Sequence, residues 1–485
     1  MAVAQARRRG GDRMDTNMVQ LAVFLGLTAL VALATWWRYG KEAKAGDSAQ
    51  DFFLAGKHLS WPYIAGSLLL TNISAEQIVG MNGAQNMLQV WWEFGAAAGL
   101  LVLARVLVPM YYKYNCTTTT ELLEKRLPNG ASLRRTVSVL FLLGYMFILL
   151  PMVLYTGSRF MKSMFEPDMS ILTISILFAL AGLAYAALGG LRAIAISDTY
   201  MGIVLLVMGG LVTYFALDRI GWDFSGIPAE RLTLWGAPDS DIPWSTLLTG
   251  MVFAHIFYWG TNMLIAQRAL AAKDIREAQK GIYAAAVLKF LTPFIVILPG
   301  IIAFKLYGDI DDNAYGRLVG DVLPPWLSGA FAAAITGAVL SSYNAGLNSA
   351  AALYTVDLHL PMVNPKADGK RIGQIVQLVF MLVSLAMVPL YQNATSIIGT
   401  LQQLNGLYSM PVLASFIVAI FVRGANATAI RIALVFGVAL YAMFTFAWTP
   451  LHYLHLMFIT LVATILVAVV LSRVMGAPAT VADAS

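Results

Sequence analysis

The stretch Thr71-Asn72-Ile73-Ser74-Ala75-Glu76-Gln77 interrupts an apolar run that extends over residues 59–87, and Gly80 and Gly83 follow it. A run of that length crosses the ~30 Å hydrocarbon core of a bilayer as a helix. Polar residues in its middle are costly there, and unpaired backbone is tolerated at that depth only where it lines a cavity. The stretch therefore reads as a broken helix. A second run, 244–267, carries the same kind of interruption at His255-Ile256-Phe257-Tyr258-Trp259-Gly260-Thr261-Asn262.

The rest of the chain supports a membrane setting. Of 485 residues, 59% are hydrophobic and 12% charged, against roughly 25% charged in soluble domains. Apolar runs at 17–37, 59–87, 88–112, 136–163, 169–189, 194–217, 244–267, 280–305, 327–355, 373–391, 396–422, 426–447 and 452–473 predict about thirteen transmembrane helices in an all-α polytopic protein. No long polar block separates them, so one membrane domain is expected. The first run is too long for a signal peptide and lacks a clear cleavage site, so it is expected to remain as a helix.

Every second loop is basic, as with Lys113, Lys125, Arg126, Arg134 and Arg135, or Arg38, Lys41, Lys44 and Lys57. The alternate loops carry Asp223, Glu230, Asp239 and Asp241, then Asp309, Asp311 and Asp312. Basic loops stay cytoplasmic, which predicts an outside amino terminus and a cytoplasmic carboxyl terminus, with Arg7 to Arg9 dissenting. The net charge of +6 is accounted for in this way, without nucleic acid. The single Cys116 leaves no internal disulfide or cysteine-based zinc site.

The two broken runs are the first and sixth of the series that begins at residue 59, and they have opposite orientation. This is the arrangement of inverted-repeat transporters, whose discontinuous helices offer helix ends and free carbonyls to substrate and ion. The expected organisation is a tail at 1–16, a peripheral helix at 17–38, repeats at 59–217 and 244–422, peripheral helices at 426–473 and a tail at 474–485.

Several segments resemble the solute:sodium symporters, most of all the bacterial sodium/galactose transporter and the animal sodium/glucose cotransporters. They are Asp51 to Lys57, Asn72 to Gln77 with Gly80-Met81, Gly189-Gly190-Leu191 followed by Asp198, Tyr258-Trp259-Gly260, Gln267-Arg268, Glu277 to Gly281, Leu288-Lys289 with Leu298-Pro299-Gly300, and Ser341-Ser342 with Leu347-Asn348-Ser349. The resemblance runs in family order over roughly residues 50–420. It implies a LeuT-like five-plus-five fold, alternating access, and sodium-coupled import of a glucose- or galactose-like hexose into a bacterial cell across its inner membrane.

The same resemblance implies site residues. Lys289, about 13 Å from the start of its helix as read from sequence, would donate to sugar hydroxyls, and Glu93 would accept from them. Gln77 and Gln402 would do both, which suits a polyol. Tyr258, beside Trp259, would stack on the sugar ring, Trp92 would offer a further flat face, and Met81 would line the outer side. Asn72 would touch solute and unwound backbone. His255 stands where the galactose transporter has an asparagine, Trp92 where it has a tyrosine, Ile398 where it has an aromatic and Ala96 where it has a serine, so the sugar itself is open. For sodium, as co-substrate and not cofactor, the implied oxygens are the carbonyls of Leu70, Ile73 and Ala338 and the hydroxyls of Ser341 and Ser342. Asp198 would assist ion release.

Other readings fit part of the pattern. Myo-inositol, an organic acid or an amino acid could replace the hexose, although a carboxylate at Glu93 disfavours an acid. Protons could couple through His255 or Asp198. A ligand sensor would need an output domain, and none is read after residue 473. No cysteine or histidine cluster and no mid-span carboxylate pair suggests an enzyme, and no organic cofactor is expected.

Overall fold

The computed structural model describes residues 18–37, 49–165, 168–392 and 396–476. The expected tail at 1–16, residues 477–485 of the expected tail at 474–485, and the basic residues Arg38, Lys41 and Lys44 lie outside them, whereas Val474 and Met475 of that tail belong to the last helix. Among the described residues the chain is all helix; the one β-type contact is an isolated bridge between Leu59 and Ala272.

The helices are α1 (Met18–Trp37), α2 (Trp61–Asn72), α3 (Ala75–Gly83), α4 (Met87–Lys113), α5 (Glu121–Arg126), α6 (Ala131–Phe165), α7 (Ile171–Arg219), α8 (residues 247–261), α9 (Met263–Leu270), α10 (Ile275–Leu288), α11 (Pro293–Tyr307), α12 (Ala314–Val322), α13 (Pro325–Met362), α14 (Gly369–Tyr391), α15 (Ile397–Phe421), α16 (Ala427–Phe446) and α17 (Tyr453–Met475). Nine of these described helices are long and apolar enough to span a bilayer, or ten when α10 and α11 count as one bent span. The expected spans not among them are present as shorter pieces: α2 with α3, α8 with α9, and the first part of α7.

Both sequence-predicted breaks exist. In α2–α3 the helix stops at Asn72, and Ser74 turns its N–H to the Asn72 carbonyl at 2.7 Å. A continuous helix would have sent that N–H to Leu70 and the Gln77 N–H to Ile73; the break frees those two carbonyls. In α8–α9 the chain leaves helical geometry at Asn262, whose φ of −68° and ψ of 121° are extended. Its side chain then caps α9 through Leu264 N–H at 3.1 Å.

Two expectations are corrected. The stretch 280–305 is not one straight helix: Asp274 caps α10 through the Glu277 N–H at 2.9 Å, and α10 meets α11 at 48°. Pro293 has no N–H to continue the ladder, and the Thr292 hydroxyl takes the Lys289 carbonyl instead, at 2.8 Å. Lys289 is thus the residue at the bend, about 21 Å from the start of α10. Secondly, helical hydrogen bonding runs through the loop expected at 190–193, from Ile171 to Arg219. Its two halves pack on the same partner, with Gly182 against Tyr343 and Met201 against Gly337 of α13.

Packing brings the breaks together at the centre. α13 is the most buried of the spans. Close approach fixes several glycines: a methyl on Gly95 or Gly99 of α4 would lie 2.4 Å from His255 of α8, against its ring or its carbonyl.

Candidate functional site

Glu93, on α4, is the hub of one buried cluster. Its side chain is fully buried, as is that of Lys289, and the ammonium sits 2.7 Å from Glu93 Oε2. The Gln77 amide on α3 donates to Glu93 Oε1, and the Thr292 hydroxyl donates to Oε2. Lys289 Nζ also lies 5.5 Å from the centre of the Trp259 ring, a cation–π distance. Two opposite charges removed from water thereby satisfy each other, which a lone charge at that depth could not do.

The structure thus gathers Gln77, Glu93, Lys289 and Trp259 from four separate stretches. Trp92 and His255 form the layer beside them, their rings 5.6 Å apart and edge-on; both are buried, as is Met81. Asn72 and the Tyr258 hydroxyl are neighbours across the two breaks. Gln402 is only half-buried on α15 and adds nothing to the Glu93 cluster; one turn before it, Ile398 seats against Gly80. Thr292 is the residue that sequence reasoning passed over. Its signal was its place in Lys289-Phe290-Leu291-Thr292-Pro293, three residues after an intramembrane lysine and next to a helix-breaking proline.

A second cluster lies below α2's end. The Ser342 hydroxyl donates to the Thr71 carbonyl at 3.3 Å. Ser67 donates to Asp198 Oδ2 at 2.6 Å, and Arg268 Nε reaches Ser67 Oγ at 3.2 Å. Arg268 Nη2 is 3.9 Å from the same Asp198 oxygen. Ser341 and Thr71 stand beside that carboxylate, yet their hydroxyl oxygens close no hydrogen bond of normal geometry. Leu70, Ile73 and Ala338 are buried around them. Asp198, in the middle of α7, is a buried wall of this cluster.

The first break is also where buried polar atoms lack partners: Thr71 Oγ1, Asn72 Oδ1, Glu76 Oε2, Gln77 Oε1 and Ser341 Oγ. Buried polar atoms in native proteins are nearly always paired, so a concentration of unpaired ones marks a place for ligands. At the second break Asn262 Oδ1 is taken by the Leu264 N–H and by the Tyr145 hydroxyl, while His255 Nε2 is without a partner.

A vestibule of about 700 Å³ leads toward Trp92 from the acidic-loop side, with Gln89, Trp92 and Ile398 among its buried lining. Glu230, Asp239, Asp241, Asp309, Asp311 and Asp312 line it, with Arg231 the basic member. Asp312 also accepts the Ile397 N–H at 3.1 Å at the start of α15, and burial pushes its pKa up to about 6.

Residues 52–437 match the sodium:solute symporter family. The chain belongs to that family. It is 35% identical over 94% of its length, and 84% of the relative's, to the uncharacterized symporter YidK of Escherichia coli. It is 28% identical to a sodium/glucose cotransporter of Vibrio parahaemolyticus, over 93% of this chain and 89% of that one. Sodium/myo-inositol cotransporter 2 of rabbit, Oryctolagus cuniculus, is 29% identical over 81% of this chain and 65% of that one. In structure, this sodium:solute symporter resembles a Na⁺-coupled sialic acid symporter in a substrate-bound outward-open state, with a TM-score of 0.81 at 18% identity, covering 94% of this chain and 98% of the other. That likeness gives the LeuT-like fold. The protein is a multi-pass membrane transporter with bacterial relatives; it is a sodium-coupled symporter of a small solute, not an enzyme.

Proposed function

We propose that this symporter imports a neutral monosaccharide, a hexose of the glucose or galactose kind, together with Na⁺, from an outward-facing acidic vestibule into a bacterial cell. The observation that carries the reading is the Glu93–Lys289 pair with its flanking Gln77 and Thr292. It is neutral as a unit, yet it presents donors and acceptors side by side. A polyol hydroxyl donates and accepts at once and can exchange into such a set. An anion would have to pass the acidic vestibule, which repels it. Tyr258 and Trp259 supply the flat faces on which the C–H side of a sugar ring packs.

Sodium is assigned to the second cluster. The freed carbonyls of Leu70 and Ile73, the Ala338 carbonyl and the hydroxyls of Ser341 and Ser342 form an oxygen shell of the kind a hard cation takes, and Asp198 lies beside it as an exit for the ion. Filling this shell orders the break that also carries Asn72 and Gln77, which links the two ligands. Relatives named for glucose and for myo-inositol support a polyol solute. The alternation of basic and acidic loops supports an outside amino terminus and a cytoplasmic carboxyl terminus in an inner membrane.

The test is uptake of labelled hexoses, myo-inositol and organic acids into proteoliposomes under a Na⁺ gradient or a pH gradient. Hexose accumulation driven by Na⁺ is expected, with Ser342→Ala lowering apparent Na⁺ affinity about tenfold. Accumulation that ignores Na⁺ and follows pH would overturn the coupling; preference for an acid would overturn the solute class.

A further inference from the structure

The last helices of the chain carry an electrostatic imbalance. From Gly369 to Ala482 the sequence contains no Asp or Glu, yet Arg423 follows α15 directly and Arg473 sits in the last turn of α17. Both line a depression of about 570 Å³ with Phe421, Val469, Ser472 and Gly476. Arg126 of α5 is nearby in the chain fold, donating to the Ile420 carbonyl at the end of α15 at 3.2 Å. The carboxylates of α5 are engaged away from this place: Glu121 and Glu124 pair with Arg134 at 3.0 and 2.6 Å.

The local polar groups are organised around the start of α16. Asn426 caps it through Thr428 N–H at 2.9 Å, and the buried Ser472 hydroxyl accepts the Asn426 N–H at 3.1 Å. The start of α16 is thereby tied to Ser472, one of the residues that line the depression with the arginines. Apolar surface rises beside it toward mid-membrane, with Phe421 and Val470 largely exposed. An arginine that serves only to orient a helix needs neither a cavity nor a helix amino terminus.

We propose that this depression holds the headgroup of an anionic phospholipid, with the phosphate between Arg423 and Arg473 and an acyl chain along Phe421 and Val469. Basic pockets between membrane helices recognise such headgroups through charge-assisted hydrogen bonds. The occupant is a lipid and not free phosphate because the apolar flank is continuous with the cationic end.

The experiment titrates delipidated, detergent-solubilised full-length protein with phosphatidylglycerol, phosphatidylcholine or soluble glycerol phosphate. Bound lipid is read by native mass spectrometry and stability by the thermal midpoint. Phosphatidylglycerol is expected to bind and raise the midpoint, and the other two are not. The double variant Arg423→Gln/Arg473→Gln should bind it about tenfold more weakly, while Arg423→Lys/Arg473→Lys retains part of the affinity. Equal binding of phosphatidylcholine, an equal effect of glycerol phosphate, or unchanged phosphatidylglycerol binding by the glutamine variant would each overturn the proposal. These readouts need no solute, so they stand apart from the transport assay.

Discussion

Glu93 accepts from three side chains brought from α3 and from the bend between α10 and α11. Removing one partner of a buried ion pair leaves the other charge stranded, at a cost of about 3–5 kcal/mol. Lys289→Ala is therefore expected to lower thermal stability as well as to stop solute uptake. The double variant Glu93→Gln/Lys289→Met, which strands no charge, should restore the thermal midpoint and still not transport. If the double variant transported, the pair would be packing alone. Asp312 makes a separate prediction outside the membrane. Its raised pKa means the folded protein holds this proton more tightly than the unfolded chain does. Through this group stability is greatest below about pH 4 and falls as pH rises to about 6, by about 3 kcal/mol. Asp312→Asn should flatten the melting profile across that window; an unchanged slope would show that another group sets it.

At the scale of helices, the breaks were legible because polar side chains in mid-span violate the rule that lipid imposes on backbone. Asn72 to Gln77 and His255 to Asn262 could be marked without coordinates for that reason. The bend at Lys289 is hard to read because single polar residues such as Lys289 and Thr292 leave the run 280–305 apolar on average, and one proline is tolerated within a membrane helix. The ion pair itself was not legible either, since hydropathy shows that Lys289 and Glu93 each need a partner but not that they are each other's. Seating α11 against α3 depends on Gly300, whose added methyl would fall 2.2 Å from the Asn82 carbonyl. That oxygen is backbone and cannot swing aside, and Asn82 Oδ1 already holds the Gly300 N–H at 2.7 Å. Gly300→Ala should thus lower the thermal midpoint by several degrees and slow uptake, whereas Gly210→Ala, in open space, should leave both unchanged.

For the whole molecule, the two clusters share α2 and α3, and reciprocity follows. Whatever factor Na⁺ adds to solute affinity, solute adds to Na⁺ affinity. Isothermal titration of each ligand at zero and saturating concentrations of the other should return equal factors for one Na⁺ per solute; unequal ones would mean that more than one Na⁺ binds per solute. The acidic vestibule has its own signature, because exposed charges act through salt-screened fields. Replacing Asp239, Asp241 and Asp309 by Asn should weaken apparent Na⁺ affinity at low ionic strength, and the difference should vanish at high ionic strength.

The closed knot of Glu93, Lys289, Gln77 and Thr292 has one more consequence. The charges of Glu93 and Lys289 are neutralised from within the protein, so this part of the pathway adds no unpaired charge when the carrier reorients. Such a carrier cycles freely without cargo on the return leg. Proteoliposomes preloaded with unlabelled solute should therefore take up label no faster than empty ones, making the protein a net accumulator and not an obligatory exchanger.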